Sequence, residues 1–257
     1  MTIDSHAHLA CPEFDNDREE VLARAGAAGV ETVLCPVDLT RPEGLAAAVD
    51  LKAKHGNLIL AAGVHPEEAE RFSPEHLDRI RDLARDGTIR AVGEIGLDYF
   101  YEPVPPGKQK EVLTAQLEAA LTSGLPAILH SRLSGEDIIR AVKDARFTNG
   151  GILHCFTEDV GVARTMLDLG FYISFSGILT YRKAENVRAA ARFVPDDRLL
   201  IETDSPYLVP AGYRKRHERN EPAFVVETLA KLAETRGDAV EATALAVSAN
   251  FKRLFPV

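Results

Sequence analysis

The chain has only three cysteines, Cys11, Cys35 and Cys155, an odd number at wide spacing. They do not read as a disulfide framework, and a reducing cytoplasm is the expected setting. No apolar run approaches the length of a membrane span, and no basic region followed by an apolar core marks a secretory signal. Positive charge is short as well. The formal net charge of −9 argues against broad, non-specific nucleic-acid binding and leaves room for a local basic patch. The first turn has no Gly-x-Gly-x-x-Gly, which removes the main support for an open, doubly wound sheet. No Gly-x-Ser-x-Gly elbow is present either, so Ser5, Ser131 and Ser205 do not form a nucleophile of that kind. Internal repeats, low-complexity segments and linkers are absent, and the chain reads as one domain over residues 1–257.

What is present is a soluble, globular composition, with 46% hydrophobic and 27% charged residues. Strand and helix signals alternate along the chain. Strands are expected over 2–9, 31–37, 58–64, 90–95, 126–130, 151–155, 171–175 and 198–201. Between them the apolar spacing predicts helices over 14–28 and 42–55, from Ser73-Pro74 onward, and over 107–123, 135–145, 159–169 and 184–193. A loop with Pro103, Pro105 and Pro106 precedes the 107–123 helix, and helices over 222–235 and 238–251 close the chain. Eight strands separated by helices imply right-handed βαβ units and a parallel sheet. In about 250 residues that pattern matches the TIM (β/α)8 barrel.

The first strand carries Asp4-Ser5-His6-Ala7-His8. Alternation along a strand puts Asp4, His6 and His8 on one face, where two imidazoles can hold one metal ion. Imidazole suits Zn, Fe, Ni or Cu, and a nearby carboxylate widens the choice. Further polar residues stand at later strand ends: His65, Glu94, Asp98, His130, His154 and Asp204. In a barrel these are the C-terminal ends, where active sites are built. Five of the eight histidines lie there, while His55, His76 and His217 fall in helix or loop contexts. Burying so many rings without partners would cost about 1–3 kcal/mol each, and shared metal coordination satisfies them together. Cys155, beside His154 but on the alternate face, is expected to pack and not to coordinate.

The segments Asp4-Ser5-His6-Ala7-His8-Leu9, Gly63-Val64-His65-Pro66 and Gly93-Glu94-Ile95-Gly96-Leu97-Asp98-Tyr99 are followed by His130-Ser131-Arg132 and His154-Cys155-Phe156-Thr157. Ser174-Phe175-Ser176-Gly177, Glu202-Thr203-Asp204-Ser205-Pro206 and Asn220-Glu221-Pro222 complete the set. In this order and over nearly the whole chain they resemble the TatD family of metal-dependent hydrolases, within the amidohydrolase-like superfamily. The resemblance implies a TIM barrel and one or two divalent ions (Mg, Mn, Zn, Co or Ni). It implies His6, His8 and Asp204 on one ion, His130 and His154 on a second, and Glu94 between them. Two departures bear on substrate preference. Glu158 stands where the family often has glycine, and the stretch Arg214-Lys215-Arg216-His217-Glu218-Arg219 is longer than the usual Gly-Lys-Arg.

These ligand types suit hydrolysis. A divalent metal lowers the pKa of its water to about 7, and two metals about 3.5–4 Å apart stabilise both oxygens of a displacement at phosphorus. Glu94 can offer one oxygen to each ion, and Asp204 can coordinate and also accept a proton. His65 is assigned to substrate or to the support of a ligand, with a hydrogen-bonded loop role as the alternative. Arg132 can meet a phosphate with its planar fork, or form a surface ion pair. Asn220 joins the expected substrate-binding set. The basic segment 214–219 either contacts phosphates or is a solvated loop. The resemblance implies a deoxyribonuclease of the 3′–5′ exonuclease type with DNA as its substrate, no membrane and no stable protein partner. The alternatives are an esterase or amidohydrolase such as a D-aminoacyl-tRNA deacylase, and a catalytically silent metal-binding protein.

Overall fold

The structure is a computed structural model that describes residues 1–100 and 104–256, so Pro103 of the expected loop lies outside the described residues. Eight parallel strands pair in sequence order: β1 (Thr2–Asp4), β2 (Val30–Asp38), β3 (Leu58–Gly63), β4 (Ala91–Asp98), β5 (Ala127–Arg132), β6 (Gly151–Leu153), β7 (Phe171–Phe175) and β8 (Leu199–Ile201). The helices between them are α1 (Arg18–Ala27), α2 (Pro42–Lys54), α3 (Pro74–Arg85), α4 (Pro106–Thr122), α5 (Gly135–Asp144), α6 (Val160–Asp168) and α7 (Glu185–Phe193). After β8 come α8 (Val225–Arg236) and α9 (Val240–Leu254). None of the described helices is long and apolar enough to cross a membrane.

The sheet closes on itself beyond the ends of β1 and β8. Ser5 N–H donates to the Ile201 carbonyl at 3.0 Å, Asp204 N–H to that of His6 at 2.9 Å and His8 N–H to that of Ser205 at 2.7 Å. Ala7 and Ser205 form a parallel bridge in the same seam. The result is the expected (β/α)8 barrel. β3 and β4 are buried along their whole length, as strands covered by helices on one side and by the barrel interior on the other must be. Local signals fix several helix ends. Ser73 and His76 make a capping box before α3, Asp159 accepts from Val162 N–H at the start of α6, and Gly237 ends α8 in the left-handed conformation.

The boundaries move the site residues relative to expectation. β1 stops at Asp4, not at residue 9, because the next residues bond alternately to two neighbours: Ser5 to Ile201, Ala7 to Leu34 and His8 to Ser205. His6 and His8 therefore lie in the closing seam. β4 and β5 run longer than expected, with Gly96 opposite His130 and Asp98 opposite Arg132. Asp98 thus sits within a strand and not after it, while Glu94 and His130 lie inside β4 and β5. The expected 14–28 helix splits into a 3-10 turn at Pro12–Phe14 and α1, which starts at Arg18.

Gly96 makes the β4–β5 pairing possible. Its φ is +151°, and a Cβ there would run into the carbonyl oxygen of His130. Glycine alone lets the two backbones approach at this point. Gly96→Ala should lower stability by about 3 kcal/mol or more, read as a fall in the urea midpoint. Gly56→Ala, where nothing stands within 4 Å of the added carbon, should change it by less than about 0.5 kcal/mol. Equal midpoints for the two variants would refute the close-approach argument.

Candidate metal centre

The C-terminal mouth of the barrel gathers its polar residues around one carboxylate. Glu94, 6% exposed, sits with its two oxygens facing different groups. Oε2 lies 3.3 Å from His6 Nε2 and 3.5 Å from His8 Nε2. Oε1 lies 2.7 Å from His154 Nε2, 2.8 Å from His130 Nδ1 and 3.4 Å from His65 Nε2. Asp204 Oδ1 completes the first group, 3.3 Å from His8 Nε2 and 3.9 Å from His6 Nε2. The six residues expected at the metals, His6, His8, Glu94, His130, His154 and Asp204, therefore converge, and His65 joins them. Asp4 does not. Its oxygens accept from Thr203 N–H at 2.9 Å, Thr203 Oγ1 at 2.5 Å and His6 N–H at 3.2 Å. Strand alternation fails for Asp4 because β1 ends there, and the carboxylate braces the seam.

The outer edges of the imidazoles are held by carboxylates that the sequence did not mark for that task. His130 Nε2 meets Asp98 Oδ2 at 2.9 Å, and His154 Nδ1 meets Glu202 Oε1 at 3.3 Å. In each ring one nitrogen faces an outer carboxylate and the other faces Glu94. That is how metal-ligating histidines are oriented. His65 differs. Its Nδ1 accepts the Glu67 N–H at 3.2 Å, so in the neutral ring Nε2 carries the proton. Although His65, Glu94 and His130 stand close enough to share an ion, that tautomer makes His65 a donor, in keeping with the substrate or supporting role expected for it. Two glutamines of α4 fix the strand ends beneath. Gln116 bonds both backbone groups of Val64, and Gln109 both those of Asp98, at 2.7–3.0 Å. Their signal in the sequence is a seven-residue spacing of amides on one helix face, which periodicity alone assigns to solvent.

Electrostatics follow from this packing. Burial opposes a charged Glu94, but His154, His65, His6 and His130 around it hold its carboxyl well below the usual range. Burial likewise opposes charge on His130, yet Asp98 and Glu94 push it up to about 9. His154 is raised well above its ordinary value by Glu94 and Glu202, again against burial. His6 goes the other way, lowered by burial and by His154, and its buried Nδ1 has no hydrogen-bond partner among the described residues. The residues fit a divalent cation. His6 Nε2 and His8 Nε2 face each other at 3.2 Å beside two carboxylates, an arrangement of lone pairs that a shared cation satisfies. Burial and the nearby Asp204 and Glu202 keep the Cys155 thiol protonated, as its expected packing role requires.

Other expected contacts are placed differently. Asn220, fully buried, donates from its amide to the Thr203 carbonyl at 2.9 Å, and its neighbour Glu221 is ion-paired with Arg24 at 2.7 Å. The Asn220-Glu221-Pro222 motif is a brace for the loop after β8 and has no surface for substrate. Arg219 is bound through both terminal nitrogens to Asp17, at 2.8 and 2.6 Å. Arg214 lies over the Tyr181 ring at 3.9 Å and bonds the Val209 carbonyl. The segment 214–219 is therefore folded onto the protein at both ends, while Arg214, Lys215 and Arg216 keep the exposed position expected of phosphate contacts. Arg132 stacks over the Phe100 ring at 3.9 Å.

The family described as TatD related DNase matches residues 3–256. The chain is 40% identical to YcfH, an uncharacterized metal-dependent hydrolase of Escherichia coli K12, over 99% of this chain and 96% of the relative. It is 33% identical to the 3'-5' ssDNA/RNA exonuclease TatD of Klebsiella pneumoniae, over 99% and 97% of the two chains. Among solved structures, YJJV, a TatD homologue from Escherichia coli K12, superposes with a TM-score of 0.91 at 31% identity, covering 100% and 98%.

Metal uptake should depend on pH with a definite sign. His130, raised to about 9, holds a proton at neutral pH in the metal-free protein, and so does His154. A metal must displace those protons, so its affinity is highest above about 9 and is lost as pH falls. Between roughly pH 6 and 9 the apparent affinity for Zn or Mn should rise about tenfold per unit for each proton released. Calorimetric titration in buffers of different ionisation enthalpy measures both quantities. An affinity flat across this range, with no proton release, would contradict the assignment.

Proposed function

The chain belongs to the TatD family of metal-dependent hydrolases, and from that membership we propose that it is a deoxyribonuclease that removes nucleotides from single-stranded ends, of the 3′–5′ exonuclease type. The observation that carries this reading is the division of donors between the two oxygens of Glu94. His6, His8 and Asp204 gather at Oε2, and His130 and His154 gather at Oε1. Two such half-sites on one carboxylate suit a pair of divalent ions and a phosphodiester placed across them.

In this reading His6, His8 and Asp204 would hold one ion and His130 and His154 another, with Glu94 shared. Bound there, divalent ions would supply positive charge for the phosphate and would acidify a water near neutral pH. Asp204 takes the proton from the attacking water as the water's oxygen bonds to phosphorus, the phosphorus–oxygen bond to the neighbouring nucleotide breaks, and that proton passes to the departing oxygen. Burial works against a charged Asp204, but its bond from His8 and the charges of His6 and His154 keep the carboxyl below its ordinary value and ready to accept. His65 Nε2–H, turned toward Glu94 Oε1, donates to a phosphate oxygen once substrate is present. Asp98 and Glu202 keep His130 and His154 from turning away as charge shifts. The backbone of Asp204 is held at φ +56° by its N–H bond to His6, which aims the carboxylate into the mouth.

Two experiments test this. Purified protein with Mg, Mn, Zn or Co should shorten single-stranded DNA from its 3′ end. Activity confined to aminoacyl-tRNA or small esters would favour the deacylase chemistry, and no metal-dependent hydrolysis at all would refute the reading. Glu94→Gln replaces a charged acceptor by an amide at the shared position. It should lower the bound metal per chain and reduce turnover by about 100-fold or more, while the thermal midpoint of the metal-free protein stays within a few degrees. Full metal content with full turnover would show that Glu94 is not shared.

A further inference from the structure

The rim of the mouth carries flat, exposed groups on opposite sides of the barrel. On one side Phe100 follows β4, 54% exposed, with the Arg132 guanidinium stacked on its ring at 3.9 Å. Phe100 N–H donates to Asp98 Oδ1 at 2.8 Å, and Asp98 Oδ2 holds His130, so this platform is tied to the second half-site. On the other side Tyr207 follows β8, 51% exposed, its ring edge-on to that of His8 at 5.9 Å. In a barrel closed in the order β1 to β8, the β4–β5 edge and the β8–β1 seam face each other across the mouth.

The Arg132 side of this platform is held in shape by Glu158. Glu158 Oε1 accepts from Ser131 Oγ at 2.8 Å and from Ser134 N–H at 3.2 Å. Those two residues bracket Arg132 and Leu133. Leu133, 68% exposed, is pinned between them in the left-handed conformation, at φ +56°. A leucine adopts that backbone only where its surroundings impose it. Ser134 Oγ also donates to the Leu97 carbonyl at 2.8 Å, which joins the bend to β4 beneath Phe100.

Resting on the nuclease reading above, we infer that Phe100 with Arg132 and, across the mouth, Tyr207 are stacking platforms for the nucleobases on either side of the scissile phosphodiester, and that Glu158 is the positioning residue for the first platform. Charge supports stacking over backbone attraction as the source of binding. The chain carries a net charge of −9, Arg219 is bound to Asp17, and Arg41 is paired with Glu68 at 2.7 Å. At that net charge the protein as a whole exerts little long-range attraction on phosphate. A base stacked on an aromatic ring binds without regard to sequence, because every base has a π face. Duplex DNA hides those faces, so the substrate is a single strand.

The test compares a fluorescein-labelled thymidine hexanucleotide with phosphorothioate linkages, which resist cleavage, with the same strand lacking its last two 3′ bases, by anisotropy on the Mn-loaded protein. The wild-type protein should bind the full strand about 5–100-fold more tightly than the abasic one. Phe100→Ala and Tyr207→Ala should each remove most of that difference and leave the abasic affinity within about twofold, while Phe100→Trp and Tyr207→Phe restore it. Glu158→Ala should act like Phe100→Ala, and Glu158→Gln should act less severely, since an amide oxygen still accepts from Ser131 and Ser134. Equal wild-type affinity for the two strands, or a loss in the variants that is the same on both, overturns the platforms. If the wild-type protein also fails to cut any oligonucleotide with metal present, the nuclease reading falls with them. If it cuts, the platforms fall alone.

Discussion

A carboxylate at the centre of a barrel mouth is the constraint on which the rest of this structure depends. Glu94 is nearly buried, and burial without compensation would drive its proton back on. The compensation is five imidazoles brought in from β1, β3, β5 and β6, with His130 and His154 themselves raised in pKa by the same contact. Each imidazole is thus held partly by Glu94, and Glu94 is kept charged by the imidazoles. Such a cluster has no purpose as a core element, since burying ionised groups gains little over apolar packing. A divalent cation changes the balance. Bound there, it would take over the neutralising charge and release the protons, with the same atoms as ligands.

Around this cluster a second layer of buried polar groups ties site to fold. Asp4 holds Thr203 and the His6 backbone at once, across the seam where β8 meets β1. Burial raises its carboxyl to about 8, although the Thr203 bonds pull the other way. Gln109 and Gln116 do for the β4 and β3 ends what Asp4 does for β1. Each of these side chains satisfies backbone groups that the ladder leaves unpaired where strands stop pairing and turn toward the mouth. Barrel closure and ligand placement therefore rest on the same hydrogen bonds.

Much of this was legible in the sequence, for physical reasons that also mark the limit. The barrel followed from eight apolar runs alternating with helical spacing, and the ligands from polar residues that recur at the ends of those runs. A strand buried on both faces has no other place for them. Asp4 was misplaced, because alternation was extended past the point where the ladder ends. Asn220 was read as a substrate contact, and Arg219 as part of a segment that either contacts phosphates or is solvated, yet one is fully buried against Thr203 and the other is bound to Asp17. Asp98 was seen at a strand end but not as the partner of His130, a pairing between residues 32 apart in sequence. Gln109 and Gln116 were invisible for the same reason. An amide on a helix reads as a surface residue until the strand it satisfies is placed beside it.

On the proposed reading, charge poses a problem that the site itself resolves. A strand of phosphates approaches a protein of net charge −9, toward a mouth whose acceptors include Glu94, Asp98, Glu202 and Asp204. Among the described residues, the metal-free mouth offers phosphate the ring N–H groups of its histidines and the Arg132 guanidinium. With two divalent ions the local sum rises by four charges, less the protons released, and becomes attractive. Electrostatic capture and chemistry then depend on the same ions, and the rest of the surface contributes little to either. Flat side chains at the rim are suited to this division. Their attraction to a base is short-ranged and insensitive to net charge, so it orients a strand that the ions have drawn in, without holding duplex or bulk anions elsewhere on the surface.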